Sequence, residues 1–150
     1  MSALACGKQI GYVIADCVFL ALGAGEARAA LTGEAAEEIA QAAEPVLSKL
    51  EQYIVVIADK EKSTKEVATA VFGVISTIWT GGCLGAVVSS WLGTLTLGDE
   101  ILYGASSLAI LLAACATDGL AEIGAIAVEL ANAGWLVDDS IKCVDACSYA

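Results

Sequence analysis

The stretch from Val67 to Gly98 contains no charged side chain, although the chain as a whole carries a formal net charge of -11. Such a segment must be enclosed by the rest of the protein or placed in a lipid bilayer, because its exposure to water is unfavourable. The apolar fraction of the chain is 58%, above the roughly 45–50% of average soluble domains. We therefore expect residues 1–150 to form a single folded domain with a sizeable core.

The composition favours helices over strands. Alanine and leucine are abundant, proline occurs once, and no alternating strand pattern persists, so the sequence predicts an all-α fold. We expect a compact, disulfide-stabilised bundle of five to seven helices, in which a hydrophobic central helical hairpin (about residues 67–117) is wrapped by amphipathic helices. Ser63 and Glu66 fit a capping box at the start of one helix. The predicted helices cover residues 3–22, 34–60 with a kink or restart at Pro45, 64–79, 83–95, 99–116, 120–137 and a short segment after Asp138–Ser140.

The charged and polar residues argue against several classes of function. Only seven basic residues are present, and none lies between Glu66 and Ile141, so we expect no nucleic-acid partner. The chain has no histidine and no Cys-x-x-Cys motif, and therefore lacks the usual catalytic base and the ligand spacing of zinc fingers. The pairs Asp99–Glu100 and Asp138–Asp139 lie at predicted helix N-termini, where negative charge offsets the helix dipole. We expect no enzymatic activity, no cofactor and no metal site.

The six cysteines indicate three disulfides and an oxidising compartment, and the alternative is a set of buried free thiols in a cytosolic core. Cys6 and Cys17 lie about 16 Å apart if they share one helix, so they cannot bond to each other. An intrahelical bond between Cys143 and Cys147 is also not expected. We predict one bridge from the first helix to the last, with the two central cysteines taking part in the others. The disulfide candidates are Cys6, Cys17, Cys83, Cys115, Cys143 and Cys147.

The N-terminal segment resembles a signal peptide in its apolar run over residues 10–22, and residues 26–29 loosely resemble a cleavage region. Asp16 interrupts that run, so we interpret residues 1–22 as a folded helix. An exported protein would then have lost its signal ahead of this chain, and the expected localisation is secreted.

The uncharged stretch has several features that suit a membrane. It is long enough to span, but Gly81–Gly82 divides it into halves that are individually too short. Gly81 and Gly85 form a small-residue face, and Trp79 and Trp91 flank it as interfacial side chains do. For the resting state we favour a buried hairpin within a soluble bundle. The membrane-insertion candidates are Trp79, Gly81, Gly82, Gly85, Trp91, Asp99 and Glu100.

In its hydropathy pattern the stretch 67–117 resembles the hydrophobic hairpin of helical pore-forming toxins such as colicins. That resemblance implies an apolar helix pair that hides inside amphipathic helices and later enters the bilayer. We hypothesise that acidity, or contact with a target membrane, favours insertion, because protonated carboxyl groups are less costly to bury in lipid. The carboxyl groups that border the apolar helices are Asp99, Glu100, Asp118, Glu122 and Glu129.

These patterns lead to two hypotheses of different classes. The first is a secreted, membrane-active helical protein, a small pore-forming or killer-type toxin whose partner is a target membrane or lipid. The second is a non-catalytic module that binds lipid or another hydrophobe, or that covers its apolar face by forming a homo-oligomer. An integral membrane protein is disfavoured, since residues 80–140 lack the lysine and arginine bias of membrane loops.

Overall fold

The computed structural model describes residues 3–22, 31–93, 113, 120–130 and 133–147, and within these ranges it contains helices and no strands. The all-α prediction is therefore confirmed. In chain order the elements are α1 (Ala3–Leu22), α2 (Gly33–Ala42), a 3-10 helix (Glu44–Val46), α3 (Leu47–Ala58), α4 (Thr64–Thr80), α5 (Leu84–Leu92), α6 (Leu120–Glu129) and α7 (Gly134–Cys147).

Capping side chains fix where two of the helices begin. The Ser63 side chain accepts a hydrogen bond from the Glu66 amide at 3.2 Å, and the Glu66 carboxylate accepts one from the Ser63 amide at 3.3 Å. This pair is the predicted capping box at the start of α4, and it satisfies amides that the helix cannot satisfy itself. Thr32 caps α2 in a similar way by accepting from the Ala35 amide at 3.2 Å.

Pro45 interrupts the long amphipathic segment that follows α1. Because proline has no backbone N–H to donate, the α-helical ladder stops at Ala42 and one 3-10 turn leads into α3. The Val46 amide donates to the carbonyl of Ala43 at 3.0 Å, which closes that turn. The predicted kink is therefore a true break between two helices.

The most enclosed of the described helices is α1. Every residue from Val13 to Leu20 is buried, and α1 contacts α2, α4, α6 and α7. Both α4 and α5, by contrast, bury one side and expose the other; for example, Val87 and Val88 of α5 are buried whereas Ser89 is exposed. The N-terminal helix thus holds the central position among the described helices. The remainder of the predicted hairpin (residues 94–112 and 114–117) lies outside the described residues.

The prediction of one helix over residues 120–137 was wrong. Helix α6 ends at Glu129, and α7 begins at Gly134 instead of after Asp138. Asp138 and Asp139 therefore do not lie in the first turn of a helix, and Asp139 is only 4% exposed. The side chains that α7 buries are spaced as one face of a helix, and they are Leu136, Asp139, Ser140 and Cys143. Because two of these four are polar, residues 138–140 suggested the N-terminal cap of a helix and not the buried face of one.

Helices α1 and α2 approach each other closely at Gly11. A Cβ atom at Gly11 would overlap the backbone carbonyl of Ala36, whereas a Cβ at Gly7 would meet no atom within 4 Å. We expect Gly11→Ala to lower the free energy of unfolding by about 3 kcal/mol, because a backbone group cannot move aside as a flexible side chain does.

Gly7→Ala is the matched control on the same helix. It should raise stability by about 0.5–1 kcal/mol through helix propensity alone. Urea denaturation of both variants measures the difference, and equal stabilities would show that α1 and α2 do not pack at Gly11.

Candidate functional site

Helices α4 and α5 meet at a sharp corner formed by Gly81 and Gly82. The helix axes are inclined by 105°. Gly82 has φ = 77°, a left-handed conformation that side chains other than glycine rarely adopt. The amides of Gly82 and Cys83 donate to the carbonyls of Trp79 and Ile78, at 3.0 and 2.9 Å. This pattern is a Schellman motif, which ends α4 and directs the chain into α5.

The two glycines of this corner have different roles. Gly82 supplies the left-handed backbone, whereas Gly81 has an ordinary helical φ of -79°. A Cβ atom at Gly81 would overlap the Val46 side chain, so the corner rests directly on the 3-10 helix. Val46 was not a predicted site residue; its place opposite Gly81 depends on a contact across the fold that leaves no local pattern in the sequence.

The spacing of Gly81 and Gly85 predicted a close contact between helices at both glycines, but Gly85 makes no such contact. It is exposed, and a Cβ atom there would meet nothing within 4 Å. Of the two glycines that define the predicted small-residue face, Gly81 therefore packs on Val46, whereas Gly85 lies on an open surface of α5.

The two tryptophans that flank the corner lie in opposite environments. Trp79 is 37% exposed, whereas Trp91 is 2% exposed. The Trp91 ring packs edge-to-face on Phe19, with ring centroids 5.1 Å apart. This geometry is a favourable arrangement of aromatic rings, and it attaches the end of α5 to the central helix α1. Asp99 and Glu100, the last two insertion candidates, lie outside the described residues.

None of the described helices is by itself both long and apolar enough to cross a membrane. Helices α4 and α5 taken together satisfy that length and composition test, with the corner as a break between them.

One disulfide joins the beginning of α1 to the end of α7. Cys6 and Cys147 are bonded, with their Cα atoms 4.7 Å apart. This is a bridge from the first helix to the last, as the spacing argument predicted. The Cys143 thiol lies 4.0 Å from the Cys147 sulfur, within reach of a weak hydrogen bond, but the two sulfurs share no covalent bond. An intrahelical bond is thus absent here, and Cys147 already has its partner.

The other described cysteines, Cys17, Cys83 and Cys143, are free thiols. The prediction of three disulfides, with Cys83 taking part in one of them, was therefore wrong. Cys83 is buried at the start of α5, where its thiol donates to the Gly81 carbonyl at 3.6 Å. Cys17 is buried within α1, and Cys115 lies outside the described residues. Among the described cysteines, therefore, no disulfide attaches α4 or α5 to the rest of the protein.

Burial keeps two of these thiols protonated. Burial, reinforced by the neighbouring charge of Asp16, raises the pKa of Cys17 well above its ordinary value. Burial also raises the pKa of Cys143 to about 12. Because the thiolate is the reactive form, both sulfurs are poorly nucleophilic at neutral pH and act as small core side chains.

Buried polar groups accompany these sulfurs. Asp16 and Ser140 are fully buried, and Asp139 nearly so. Among the described residues, the Ser140 hydroxyl has no hydrogen-bond partner. Asp16 was recognised in the sequence as an interruption of an apolar run, but burial of Asp139 and Ser140 was not predicted. The sequence did contain a signal for their burial, because Leu136, Asp139, Ser140 and Cys143 are spaced as one face of a helix. Within the described ranges, no three Cys, Asp or Glu side chains are grouped as a metal site would require.

Comparison with known proteins gives no relative from which to transfer a role: no protein family, no curated protein and no solved structure matches the chain.

The raised pKa of Cys143 predicts a loss of stability in alkali. An unfolded thiol ionises near pH 8.5, whereas the folded thiol stays protonated up to about pH 12. Between these values the unfolded state holds fewer protons than the folded state, so the free energy of unfolding falls as the pH rises. We expect this thiol to account for about 2 kcal/mol of the loss between pH 7 and pH 10.

Comparing Cys143→Ala with Val144→Ala isolates that contribution, since both variants lose volume but only one loses the thiol. We measure the free energy of unfolding of each variant by urea denaturation at pH 7 and at pH 10. Its decrease between the two pH values should equal that of the native protein in Val144→Ala and should be smaller in Cys143→Ala. An equal decrease of the free energy of unfolding in both variants would show that the Cys143 thiol is not buried and protonated as described.

Proposed function

We propose that this chain is a secreted, membrane-active helical protein, of the pore-forming or killer-toxin kind, whose α4–α5 pair enters a lipid bilayer. The observation that carries the proposal is the pair itself. It is uncharged from Val67 onward, it satisfies the length and composition of a span, and no described disulfide attaches it to the bundle.

The dimensions of the pair favour its acting as a unit. Helix α4 has 17 residues, about 26 Å of helix, which is short of the roughly 30 Å hydrocarbon core. Residues 67–92 in one continuous helix would measure about 39 Å, which exceeds that thickness. Insertion therefore requires the corner at Gly81–Gly82 either to straighten or to enter as a re-entrant turn.

The covalent framework allows such a movement. The Cys6–Cys147 bond holds α1 and α7 together, so these helices remain joined when α4 and α5 leave them. What holds the pair in place is packing: Trp91 on Phe19 at the end of α5, and Gly81 on Val46 at the corner. Non-covalent contacts of this kind can be exchanged for contacts with lipid, whereas a disulfide cannot. The same bond supports the assignment to a secreted protein, because disulfides persist in oxidising compartments.

Acidity is the second part of the proposal. Glu122 and Glu129 belong to α6, a helix that packs against α4, whereas Asp99, Glu100 and Asp118 lie outside the described residues. Protonating these groups removes charge next to the segment that must enter lipid. We propose that membrane activity is greater at acidic pH than at neutral pH.

The carrier alternative receives less support. A hydrophobe carrier needs an enclosed, mainly apolar cavity. The three surface grooves that we describe have volumes of about 270, 380 and 370 Å³; all are open to solvent, and charged side chains line each of them. One example is the groove between α1 and α2, which contains Lys8 and Glu37.

A disulfide across the corner tests the proposal directly. A Cβ atom at position 81 would lie 3.7 Å from that of Val46, close to the roughly 3.8 Å of natural disulfides. The double variant Val46→Cys, Gly81→Cys should therefore form a bond that fixes the corner to the 3-10 helix. Cys83→Ala in the same background removes the nearest competing thiol.

We expect the oxidised double variant to lose dye release from liposomes and to regain it on reduction. The two single variants and the parent Cys83→Ala protein, each measured with and without reductant, control for reduction of the native bond. Release by the oxidised variant equal to that of the reduced form would contradict the proposal. So would the absence of release by the native protein at both neutral and acidic pH.

A further inference from the structure

The outer surface of the α4–α5 corner bears no charge, which is unusual on a chain of net charge -11. We call this surface the corner patch. It consists of the exposed residues 79–82 together with Gly85, Ala86 and Ser89 of α5. Trp79 is its only large side chain, and the remaining members are glycine, alanine, serine and threonine.

A patch of this composition fits a bilayer surface better than a protein partner. Tryptophan is enriched at membrane interfaces, where its ring contacts lipid and its N–H meets water. A stable protein interface, in contrast, uses several buried aromatic or arginine anchors, and the corner patch has one. Its small residues also allow the polypeptide backbone to approach the headgroups closely.

The charge of the whole protein restricts which lipids it can approach. An anionic leaflet carries a negative surface potential, which repels a protein of net charge -11. A bilayer of zwitterionic lipids presents no net charge, so the uncharged corner can reach it without that repulsion.

We propose that the corner patch is the first contact of this protein with a bilayer of zwitterionic phospholipids, with Trp79 at the headgroup level. This inference rests on the proposed membrane activity and names its lipid class and its point of contact. Contact precedes insertion, because Trp79 is exposed in the folded state whereas Trp91 is still packed on Phe19.

Vesicle sedimentation tests the lipid class. Binding to phosphatidylcholine vesicles should be roughly fivefold or more stronger than binding to vesicles that contain 30% phosphatidylglycerol, at low ionic strength. The preference should diminish in high salt, because it arises from screened repulsion. Stronger binding to the phosphatidylglycerol vesicles would overturn the inference.

A pair of charge variants tests the point of contact. Ala86→Glu places a carboxylate in the corner patch, and Ser48→Glu places one on the exposed side of α3 with the same change in net charge. Ala86→Glu and Trp79→Ala should each weaken binding to phosphatidylcholine by about tenfold. Ser48→Glu should leave it within twofold, since one further negative charge is a small change on a net -11.

The outcomes separate this inference from the proposed function. If the native protein releases dye but Ala86→Glu and Trp79→Ala bind vesicles as well as it does, the corner patch is not the point of contact, and the proposed function stands. Native dye release that is absent everywhere, with patch-dependent binding retained, would refute pore formation alone. If the native protein binds no vesicles but assembles with increasing concentration, and Ala86→Glu abolishes that assembly, the patch is a self-association surface and the inference is overturned.

Discussion

Packing around α1 is the constraint on which the rest of the described structure depends. Its residues from Val13 to Leu20 are buried, and α2, α5 and α7 each meet α1 through a specific contact. Gly11 lets the backbone of α2 approach, Phe19 receives the Trp91 ring of α5, and Cys6 bonds Cys147 of α7. An apolar helix near the N-terminus therefore organises the bundle, and the uncharged stretch that follows Val67 supplies part of the layer packed on it.

These contacts differ in strength in a way that matters for function. The contact with α7 is covalent and closes a loop of 141 residues in sequence separation, so it strongly restricts the unfolded chain. The contacts with α4 and α5 are apolar packing, and apolar packing in protein can be replaced by apolar packing in lipid. The protein thus combines a pair of helices joined by a covalent bond with a pair whose described contacts are packing. The structural basis of our proposal is this asymmetry, because an apolar segment held by disulfides at both ends could not be delivered to a membrane.

Much of the fold follows from local chemistry. The limits of α1, the break at Pro45, the capping box at Ser63 and the corner at Gly81–Gly82 were predicted, since proline, glycine and capping residues act within a few positions. The start of α7 was missed because Asp139 and Ser140 imitate a cap while facing the core. These polar side chains conceal the helical spacing of the residues that α7 buries.

The candidate site was less predictable, since its geometry depends on contacts between distant residues. The sequence identified both tryptophans, but only the fold distinguishes the exposed Trp79 from the buried Trp91. Likewise, cysteine spacing predicted a bridge between the first and last helices, yet it also assigned Cys83 to a bridge that does not form. The pairing of cysteines and the packing of Gly81 on Val46 depend on contacts between residues that are distant in sequence, so a local sequence pattern does not predict them.

Hydrogen–deuterium exchange in the presence of phosphatidylcholine vesicles tests the central claim, which is that α4 and α5 move while α1 and α7 stay joined. The account predicts a change of amide protection confined to peptides that cover α4, α5 and the surfaces they leave, with α1 and α7 still protected where they contact each other. Unchanged protection in α4 and α5 while dye is released, or loss of protection throughout α1 and α7, would contradict it.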